Sequence, residues 1–455
     1  MASTACFASA RVASASAAST SSSSDPPPRR DYAALFARRK AGGCPPLFLA
    51  PMEGLGDHRL RRALALSTGG FDEACREFTR VPGVLSQGAK PERLLRGIAL
   101  NGYDARELVH PDSRAPHLLG AQLMGSNPEL LERCARFLAE EGGAPRVDLN
   151  CGCPANVVTG KGAGSSLLRD PRDVEACVAA VRRGVAGTGA VATLKLRSGF
   201  DDKGLLRENL LAAQAGGAEF ITLHPRTRAQ GYSGRAEWAD IAFAVDLLDV
   251  PVVGNGDVTS PLRAAQMIAE TGCAGVMIGR GAVQDPLVFR RVAAALACPG
   301  YVERAAGRSG GAGEDEEEWW GLDREEEAEE VCAFLRRFAA AAFDEKPARK
   351  PRKNRPNDLE NFKLGKLKQV CKYLFAGNPG LVPHISRVLG ADAADVTAEE
   401  TLARVEALVR ERWTTPEDVL VDAFSMRTRY ADGVAEEEKA RRMADEGTLR
   451  DVVRS

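Results

Sequence analysis

The strongest constraint in this sequence is an eightfold alternation of short apolar segments with helix-like segments between residues 47 and 296. Each apolar segment has the length of a buried strand, and each segment after it carries apolar residues at helical spacing. The predicted strands are 47–52, 71–78, 117–124, 147–151, 191–197, 220–226, 250–257 and 274–281. Eight such units in about 250 residues predict an α/β fold, a (β/α)8 TIM barrel. The alternative, an open doubly wound sheet, requires neither eight units nor this regularity.

The segment before the barrel differs in composition from the barrel itself, which is predicted at 45–300. Residues 1–24 are almost all Ala, Ser and Thr, and Arg11 is their only charged residue. This composition is typical of an organelle transit peptide, so residues 1–44 are predicted to be a disordered leader. The sparse arginine favours a chloroplast over a mitochondrion. A plain disordered tail on a cytoplasmic protein is the alternative.

Two segments after the barrel carry opposite charge. Residues 314–330 hold eleven acidic residues and one arginine, which predicts a disordered acidic insertion over 301–330. Residues 331–413 have helical spacing and are followed by a charged tail at 414–455. Within this small all-α domain, residues 346–372 hold ten basic residues against two acidic ones. Such a run predicts either a nucleic-acid contact or a solvated linker.

Composition and motifs exclude several classes of protein. The 455 residues contain no run of 18 uncharged apolar residues, so no membrane-spanning helix is predicted. The eleven cysteines form no regular framework and are expected to be reduced thiols. Cys151 and Cys153 lack a second Cys or His pair at zinc spacing, so no metal site is predicted. Neither a Gly-x-Ser-x-Gly elbow nor a Gly-x-Gly-x-x-Gly dinucleotide motif follows a predicted strand.

Side chains at the carboxyl ends of the strands are the candidates for chemistry, because barrel active sites form at that face. Glycines surround the ends of strands seven and eight, at 254–257 (GNGD) and 279–281 (GRG). Such turns let backbone N–H groups approach a phosphate, although each alone also fits an ordinary tight turn. Lys195 and His224, on strands five and six, suit an electron-rich ring such as a reduced flavin. A salt bridge and a core histidine are the alternatives.

The end of strand four combines an amide, two cysteines and a glycine-rich run. Asn150, Cys151 and Cys153 are followed by glycines within 160–166. A strand that ends in a reactive side chain and a glycine loop is typical of a barrel active site, whereas two packed thiols are the alternative. Because Cys153 lies beyond the strand and Cys151 within it, Cys153 is the candidate reactive thiol.

Six short motifs resemble, in order, the signatures of the tRNA-dihydrouridine synthases, a family of FMN-dependent barrels. The motifs are 50–54 (APMEG), 77–81 (EFTRV), 148–154 (DLNCGCP), 194–197 (LKLR), 224–227 (HPRT) and 279–281 (GRG). The NCGCP form, with Gly-Ala-Gly at 162–164, most resembles the bacterial C-type branch. The resemblance covers about 47–290 well and the helical domain weakly.

The resemblance implies a role for each matching residue. Cys153 is expected to be the general acid, and Asn150 and Arg226 are expected to contact the target uracil. The residues expected to bind FMN are Pro51, Met52, Glu53, Gln122, Lys195, His224, Asn255, Gly256, Asp257, Gly279 and Arg280. The last five of these would hold the ribityl chain and the phosphate.

The implied reaction is the reduction of a uracil C5–C6 bond in tRNA by a monomeric enzyme. A flavin reduced by NADPH or NADH would deliver a hydride to C6, and an exposed thiol can supply the proton at C5. Lys363, Lys366 and Lys368 are expected to contact the tRNA backbone, and the C-type resemblance points to position 16 in the D-loop. The alternatives are a dihydroorotate dehydrogenase-like barrel acting on a free pyrimidine and a non-catalytic RNA-binding protein.

Overall fold

The computed structural model describes residues 30–40, 43–85, 91–109, 118–154, 162–306, 322–344, 358–389, 396–414 and 416. Within these ranges the strands are Leu47–Leu49 (β1), Glu73–Cys75 (β2), Thr79–Arg80 (β3), Leu118–Met124 (β4), Arg146–Cys151 (β5), Val191–Gly199 (β6), Ile221–Thr227 (β7), Val252–Asn255 (β8) and Gly275–Ile278 (β9). All of them except β3 close into a parallel barrel, in the order β1-β2-β4-β5-β6-β7-β8-β9 and back to β1. The predicted (β/α)8 barrel is therefore confirmed.

Helices surround this barrel. They are Tyr32–Lys40 (α1), His58–Ser67 (α2), Pro91–Leu100 (α3), Pro128–Glu140 (α4), Pro171–Val185 (α5), Leu206–Ala215 (α6), Ala239–Leu247 (α7), Pro261–Thr271 (α8), Gly281–Gln284 (α9), Val288–Ala297 (α10) and Tyr301–Ala305 (α11). Before the first proline of α4, α5 and α8, the caps Asn127, Asp170 and Ser260 each accept a hydrogen bond from a backbone N–H. A capping side chain followed by proline defines a helix start from residues that are adjacent in the sequence.

The strand predicted at 71–78 is shorter in the structure, where β2 lies inside the predicted range and a second short strand, β3, begins just beyond it. Cys75 pairs with Gly120, and Thr79 pairs with Leu123. Four steps along this strand therefore match three steps along β4. One extra residue bulges out of the ladder, which separates the two short strands.

Helix α1 closes the amino-terminal end of the barrel. Its Tyr32 and Phe36 pack on an apolar cluster inside the barrel, and the Phe36 ring lies 5.2 Å from the Phe220 ring. Tyr32 Oη also donates a 2.6 Å hydrogen bond to Glu73 Oε2. The prediction of a disordered leader over 1–44 is wrong for 32–40, because this segment buries its aromatic side chains as a helix. Residues 1–29 lie outside the described residues.

A group of helices after the barrel packs against its side. In the described part of the chain they are Arg324–Phe343 (α12), Asp358–Gly377 (α13), Ile385–Leu389 (α14) and Ala398–Arg412 (α15). The predicted acidic insertion, 301–330, is wrong at both ends: 301–305 form α11, and α12 begins at Arg324 behind an Asp323–Glu326 capping box. The intervening 307–321, the basic 345–357 and the tail beyond 416 are outside the described residues. Within the described ranges, no helix is long and apolar enough to cross a membrane.

A buried ionic cluster joins the barrel to these helices. Arg291 on α10 forms ion pairs with Asp285, at 3.2 Å, and with Glu327 on α12, at 2.8 Å. Trp413, where the helical domain was predicted to end, is fully buried and donates a 3.0 Å hydrogen bond from Nε1 to Glu327 Oε2. Burial raises the pKa of both carboxyl groups. The helical domain is therefore anchored by charges that are withdrawn from water.

Gly120 on β4 makes room for an ion pair inside the barrel. A Cβ at this position would lie 2.7 Å from Arg146 Nη2 and 2.8 Å from Glu73 Oε1, and both side chains are fully buried. We expect Gly120→Ala to lower the free energy of unfolding by about 3 kcal/mol, because it overpacks the core and disturbs a buried charge pair. Chemical denaturation followed by circular dichroism measures the change.

Gly365→Ala in α13 is the matched control. A Cβ there meets nothing within 4 Å, so the same substitution should stabilise the helix by up to about 1 kcal/mol. Similar effects of the two substitutions would contradict the role given to Gly120.

Candidate active site

Strand β5 leads directly into the loop that carries the candidate thiol. Asn150 Oδ1 accepts hydrogen bonds from the backbone N–H groups of Gly152, at 3.0 Å, and Cys153, at 2.9 Å. The Cys153 carbonyl accepts a 2.8 Å hydrogen bond from Ser165 Oγ. Cys153 is partly exposed, whereas Cys151 is fully buried, and burial raises the pKa of the Cys151 thiol well above its ordinary value. Of the two thiols, only Cys153 is accessible to a ligand.

Gln122 on β4 links Asn150 to a buried carboxylate. Gln122 Oε1 accepts a 2.9 Å hydrogen bond from Asn150 Nδ2, and Gln122 Nε2 donates a 2.7 Å hydrogen bond to Asp148 Oδ2. Gln122 and Asp148 are both almost completely buried. The amide that was predicted to contact a flavin ring is therefore held from two sides.

Lys195 lies on β6, two residues before Arg197. Burial first, and then the nearby Arg197, lower the pKa of Lys195 to about 8. Among the described residues, no hydrogen bond or ion pair engages the Lys195 ammonium. The alternative interpretation, that Lys195 forms a salt bridge, is therefore not met in the described part of the chain. The Lys195 ammonium is available to a ligand.

His224 on β7 is a neutral residue among cations. Arg226 Nη1 lies 3.1 Å from His224 Nε2, and because a guanidinium only donates, the imidazole accepts there and carries its proton on Nδ1. Burial first lowers the pKa of His224 well below its ordinary value, and four cations lower it further. These cations are Lys195, Arg197, Arg226 and Arg280. The site is therefore positively charged without any charge on the histidine.

Arg226 is a structural partner and not an exposed recognition group. It is fully buried, and its Nη2 donates to the Gly234 carbonyl, at 2.6 Å, and to Asp257 Oδ2, at 2.8 Å. The guanidinium does not reach the surface, and its predicted contact with uracil stays a prediction. Arg226 instead orients His224 and holds the turn after β8.

The turn after β8 has an unusual backbone. Gly256 has a φ of +107°, and a Cβ on it would lie 2.8 Å from His224 Cδ2, so only glycine fits. Asp257 follows with a φ of +58° and accepts a 2.6 Å hydrogen bond at Oδ2 from the Ala236 N–H. Asn255 Nδ2 donates a 2.8 Å hydrogen bond to the Met277 carbonyl on β9. These contacts bring the two predicted glycine turns together.

The loop after β1 borders the turn after β9. A Cβ at Gly279 would lie 3.6 Å from Met52 Sδ, and Pro51 beside Met52 is partly buried. Glu53 lies at the rim, where it pairs with Arg80 at 3.2 Å with both side chains about half exposed. The residues predicted from strands one, three, four, five, six, seven and eight thus lie at the carboxyl end of one barrel.

Tyr232 was not predicted from the sequence. It lies in the loop after β7, and half of it is exposed. Its ring centroid is 4.6 Å from Arg280 Cζ, 5.4 Å from Arg197 Cζ and 6.3 Å from the His224 ring. An exposed aromatic ring in such a place can stack on a base. Its only signal in the sequence is a tyrosine between glycines after the sixth predicted strand.

Two of the three lysines predicted to contact RNA hold helix α13 in place. Lys363 pairs with Glu399 at 3.1 Å, and Lys366 pairs with Asp57, the cap of α2, at 3.2 Å. Lys368 is partly exposed, and the structure gives it no ion pair among the described residues. The three do not form one unpaired cationic face, because charges on the barrel and on α15 neutralise the first two.

Asp257→Asn tests the buried pair with Arg226. The substitution keeps the side-chain shape and tolerates the positive φ, but it leaves a fully buried guanidinium without its carboxylate. We expect a loss of about 3–5 kcal/mol in the free energy of unfolding. Glu53→Gln breaks the half-exposed pair with Arg80 and should change stability by at most about 1 kcal/mol. Chemical denaturation compares the two, and equal losses would rule out a special role for the buried pair.

Comparison with known proteins agrees with this geometry. A family model described as "Dihydrouridine synthase (Dus)" matches residues 48–303. The chain is 42% identical over 247 residues to a protein of Cupriavidus necator named "tRNA-dihydrouridine(16) synthase", a match that covers 54% of this chain and 73% of that protein. It is 37% identical over 247 residues to a protein of the same name from Pseudomonas syringae pv. tomato, covering 54% and 74% of the two chains. The resemblance inferred from six motifs is therefore confirmed, and the chain belongs to the dihydrouridine synthase family.

Proposed function

We propose that this protein reduces the C5–C6 double bond of a uridine in tRNA, at position 16 of the D-loop. The observation that carries the proposal is that a partly exposed thiol, Cys153, lies beside a cationic cluster around the neutral His224 at the carboxyl end of the barrel, where Arg197 of that cluster donates a 2.8 Å hydrogen bond from Nε to the Gly152 carbonyl. Relatives named for position 16 support the choice of uridine. Saturating the bond requires a hydride at C6 and a proton at C5.

FMN is the proposed cofactor, with NADPH, or alternatively NADH, as its reductant. A bound flavin would supply the hydride. The residues of the mouth fit such a group, since the Lys195 ammonium has no acceptor among the described residues and three arginines lie nearby. Positive charge there suits the negative charge of a reduced ring. The turns at 255–257 and 279–281 would hold the ribityl chain and the phosphate.

Cys153 is the proposed general acid. Its backbone is held by Asn150 on one side and by Ser165 on the other, which keeps the partly exposed thiol at the mouth. A partly exposed thiol held in this loop can donate a proton to C5. Lys195 is mostly charged at neutral pH and loses its charge as the pH rises through about 8.

Cys153→Ala tests the reaction and the acid together. We expect the variant to keep its flavin and to form dihydrouridine at least about 100-fold more slowly than the parent, because proton donation contributes at least that factor. The assay is NADPH-dependent dihydrouridine formation in unmodified tRNA, followed by nucleoside mass spectrometry. Cys298→Ala, at a partly buried thiol after α10, is the matched control and should act like the parent.

The outcomes of this assay separate the alternatives. A flavin-loaded and reducible parent that leaves tRNA unchanged would exclude tRNA uridine as the substrate and direct attention to free pyrimidines. A purified parent without yellow flavin absorbance would favour the RNA-binding protein.

The exposed face of α13 is the proposed contact with tRNA. Lys372 is exposed, Lys368 is partly exposed, and Gly365 leaves open space one turn before them. Residues at these spacings share one face of a helix. Because the target base lies within a folded RNA, it must leave its stack to reach the barrel mouth.

Lys368→Glu/Lys372→Glu should raise the Kd for tRNA by about tenfold or more. It should also reduce the slope of log Kd against log salt concentration by about two, as expected for the loss of two phosphate contacts. Filter binding over a salt series, with flavin content measured in parallel, provides both values. Arg182→Glu/Arg183→Glu reverses two cations at the end of α5, at the opposite end of the barrel, and should leave the Kd unchanged. Equal affinities of both double variants would remove α13 from the RNA interface.

A chloroplast location remains a proposal from the composition of residues 1–24, with a mitochondrion or the cytoplasm as alternatives. Imaging of residues 1–44 fused to a fluorescent protein would decide it. A monomer is likewise proposed, and light scattering of the purified protein would test that state.

A further inference from the structure

A continuous series of polar contacts crosses the barrel, from the amino-terminal end that α1 closes to the loop of Cys153. Its members, in order, are Tyr32, Glu73, Arg146, Asp148, Gln122, Asn150 and Cys153. Arg146 Nε donates a 2.6 Å hydrogen bond to Glu73 Oε1, and Arg146 Nη1 lies 3.2 Å from Asp148 Oδ1. Burial alone would lower the pKa of Arg146, but Glu73, and after it Cys75 and Asp148, hold it well above its ordinary value. The members of this series toward the closed end of the barrel therefore include charged side chains that are held by one another.

The hydrogen bonds in this series all donate in one direction, which the carboxylate of Asp148 determines. Asp148 Oδ1 already accepts a 2.6 Å hydrogen bond from Thr193 Oγ1, and Oδ2 can only accept. Gln122 must therefore turn its NH2 group toward Asp148 and its oxygen toward Asn150. Asn150 then turns its own NH2 group toward Gln122, which leaves Oδ1 for the N–H group of Cys153. An amide without charged neighbours would have no such preference.

We propose that Asp148 is a positioning residue, which orients the amides of Gln122 and Asn150 and thereby holds the Cys153 loop. Asp148 is buried below the mouth and acts only through these two residues. Its importance for catalysis rests on the proposed role of Cys153. The position of the loop, however, can be measured without flavin or tRNA.

The charged groups that face Asp148 come from three strands. They are Glu73 on β2, Arg146 on β5 and Lys195 on β6, and the thiols of Cys75 on β2 and Cys151 on β5 also lie near. A second carboxylate at position 122 would lie directly against Asp148. Two carboxylates in hydrogen-bond contact share a proton, so one of them stays protonated to a higher pH than an isolated group would.

Gln122→Glu uses this property as a test. A protonated glutamic acid has the donor and acceptor pattern of glutamine, with its O–H toward Asp148 and its C=O toward Asn150, whereas an ionised one cannot donate to Asp148. The readout is the rate at which iodoacetamide alkylates Cys153, measured by peptide mass spectrometry and divided by the parent rate at the same pH. We expect a ratio of about ten at high pH, equivalent to the loss of one buried hydrogen bond, and a ratio near one under mildly acidic conditions. Cys44 and Cys298 are partly buried and lie outside this series of contacts, so their alkylation rates are the internal references.

A second substitution should reverse the effect. Asp148→Asn in the Gln122→Glu background moves the single carboxylate from position 148 to position 122. The new asparagine can accept from Thr193 and donate to the new glutamate, and that glutamate can accept from Asn150 as Gln122 does. We expect alkylation of Cys153 at the parent rate at both pH values.

Each outcome bears on the proposal. A ratio near one at both pH values, or a raised ratio that neither acid nor Asp148→Asn restores, would overturn it. If Gln122→Glu does not fold at high pH, the Tm of the double variant decides, because a value near that of the parent supports the coupling and a low value refutes it. A parent without synthase activity would refute the proposed function and leave these alkylation results interpretable.

Discussion

The buried ion pair between Glu73 and Arg146, with Asp148 beside it, is the interaction on which the interior of this barrel depends. A charge in a protein core is stable only when an opposite charge compensates for the hydration that it loses. Here the partners come from separate strands, Gly120 leaves the space for them, and Tyr32 supplies a hydrogen bond from α1. An apolar cluster inside the barrel packs on α1. Aromatic rings therefore close the amino-terminal end of the barrel. Toward its carboxyl end, hydrogen bonds that donate in one direction fix the orientation of the polar side chains.

The mouth of the barrel, at the carboxyl ends of its strands, also carries an excess of positive charge. Lys195 has a pKa lowered to about 8, and His224 stays neutral because burial and neighbouring cations oppose its protonation. Asp257 accepts from Arg226, so one arginine is neutralised within the protein. Lys195, Arg197 and Arg280 also lie near His224. A ring that becomes negatively charged when it is reduced is the kind of ligand that such a site stabilises.

The helical domain depends on the barrel for its position. Lys366 binds Asp57, Gln369 donates to the Gly54 carbonyl, and Arg291 joins Glu327 to Asp285. Basic residues in a helix are readily interpreted as nucleic-acid contacts, but some of them neutralise acidic groups of the same protein. The surface that α13 can offer to RNA is therefore smaller than its count of lysines suggests.

Local patterns in the sequence were sufficient for the eight strands, for the helix starts at Pro128, Pro171 and Pro261, and for the position of Cys153 beyond a strand. Each of these depends on residues within a few positions of one another, where periodicity, caps and proline act directly. Only the tertiary structure decided that Glu73 pairs with Arg146, that Arg226 is buried and that Lys366 meets Asp57. Those pairs join residues far apart in the chain, and they follow from the closure of the barrel and the docking of α13, which set the neighbours of each side chain.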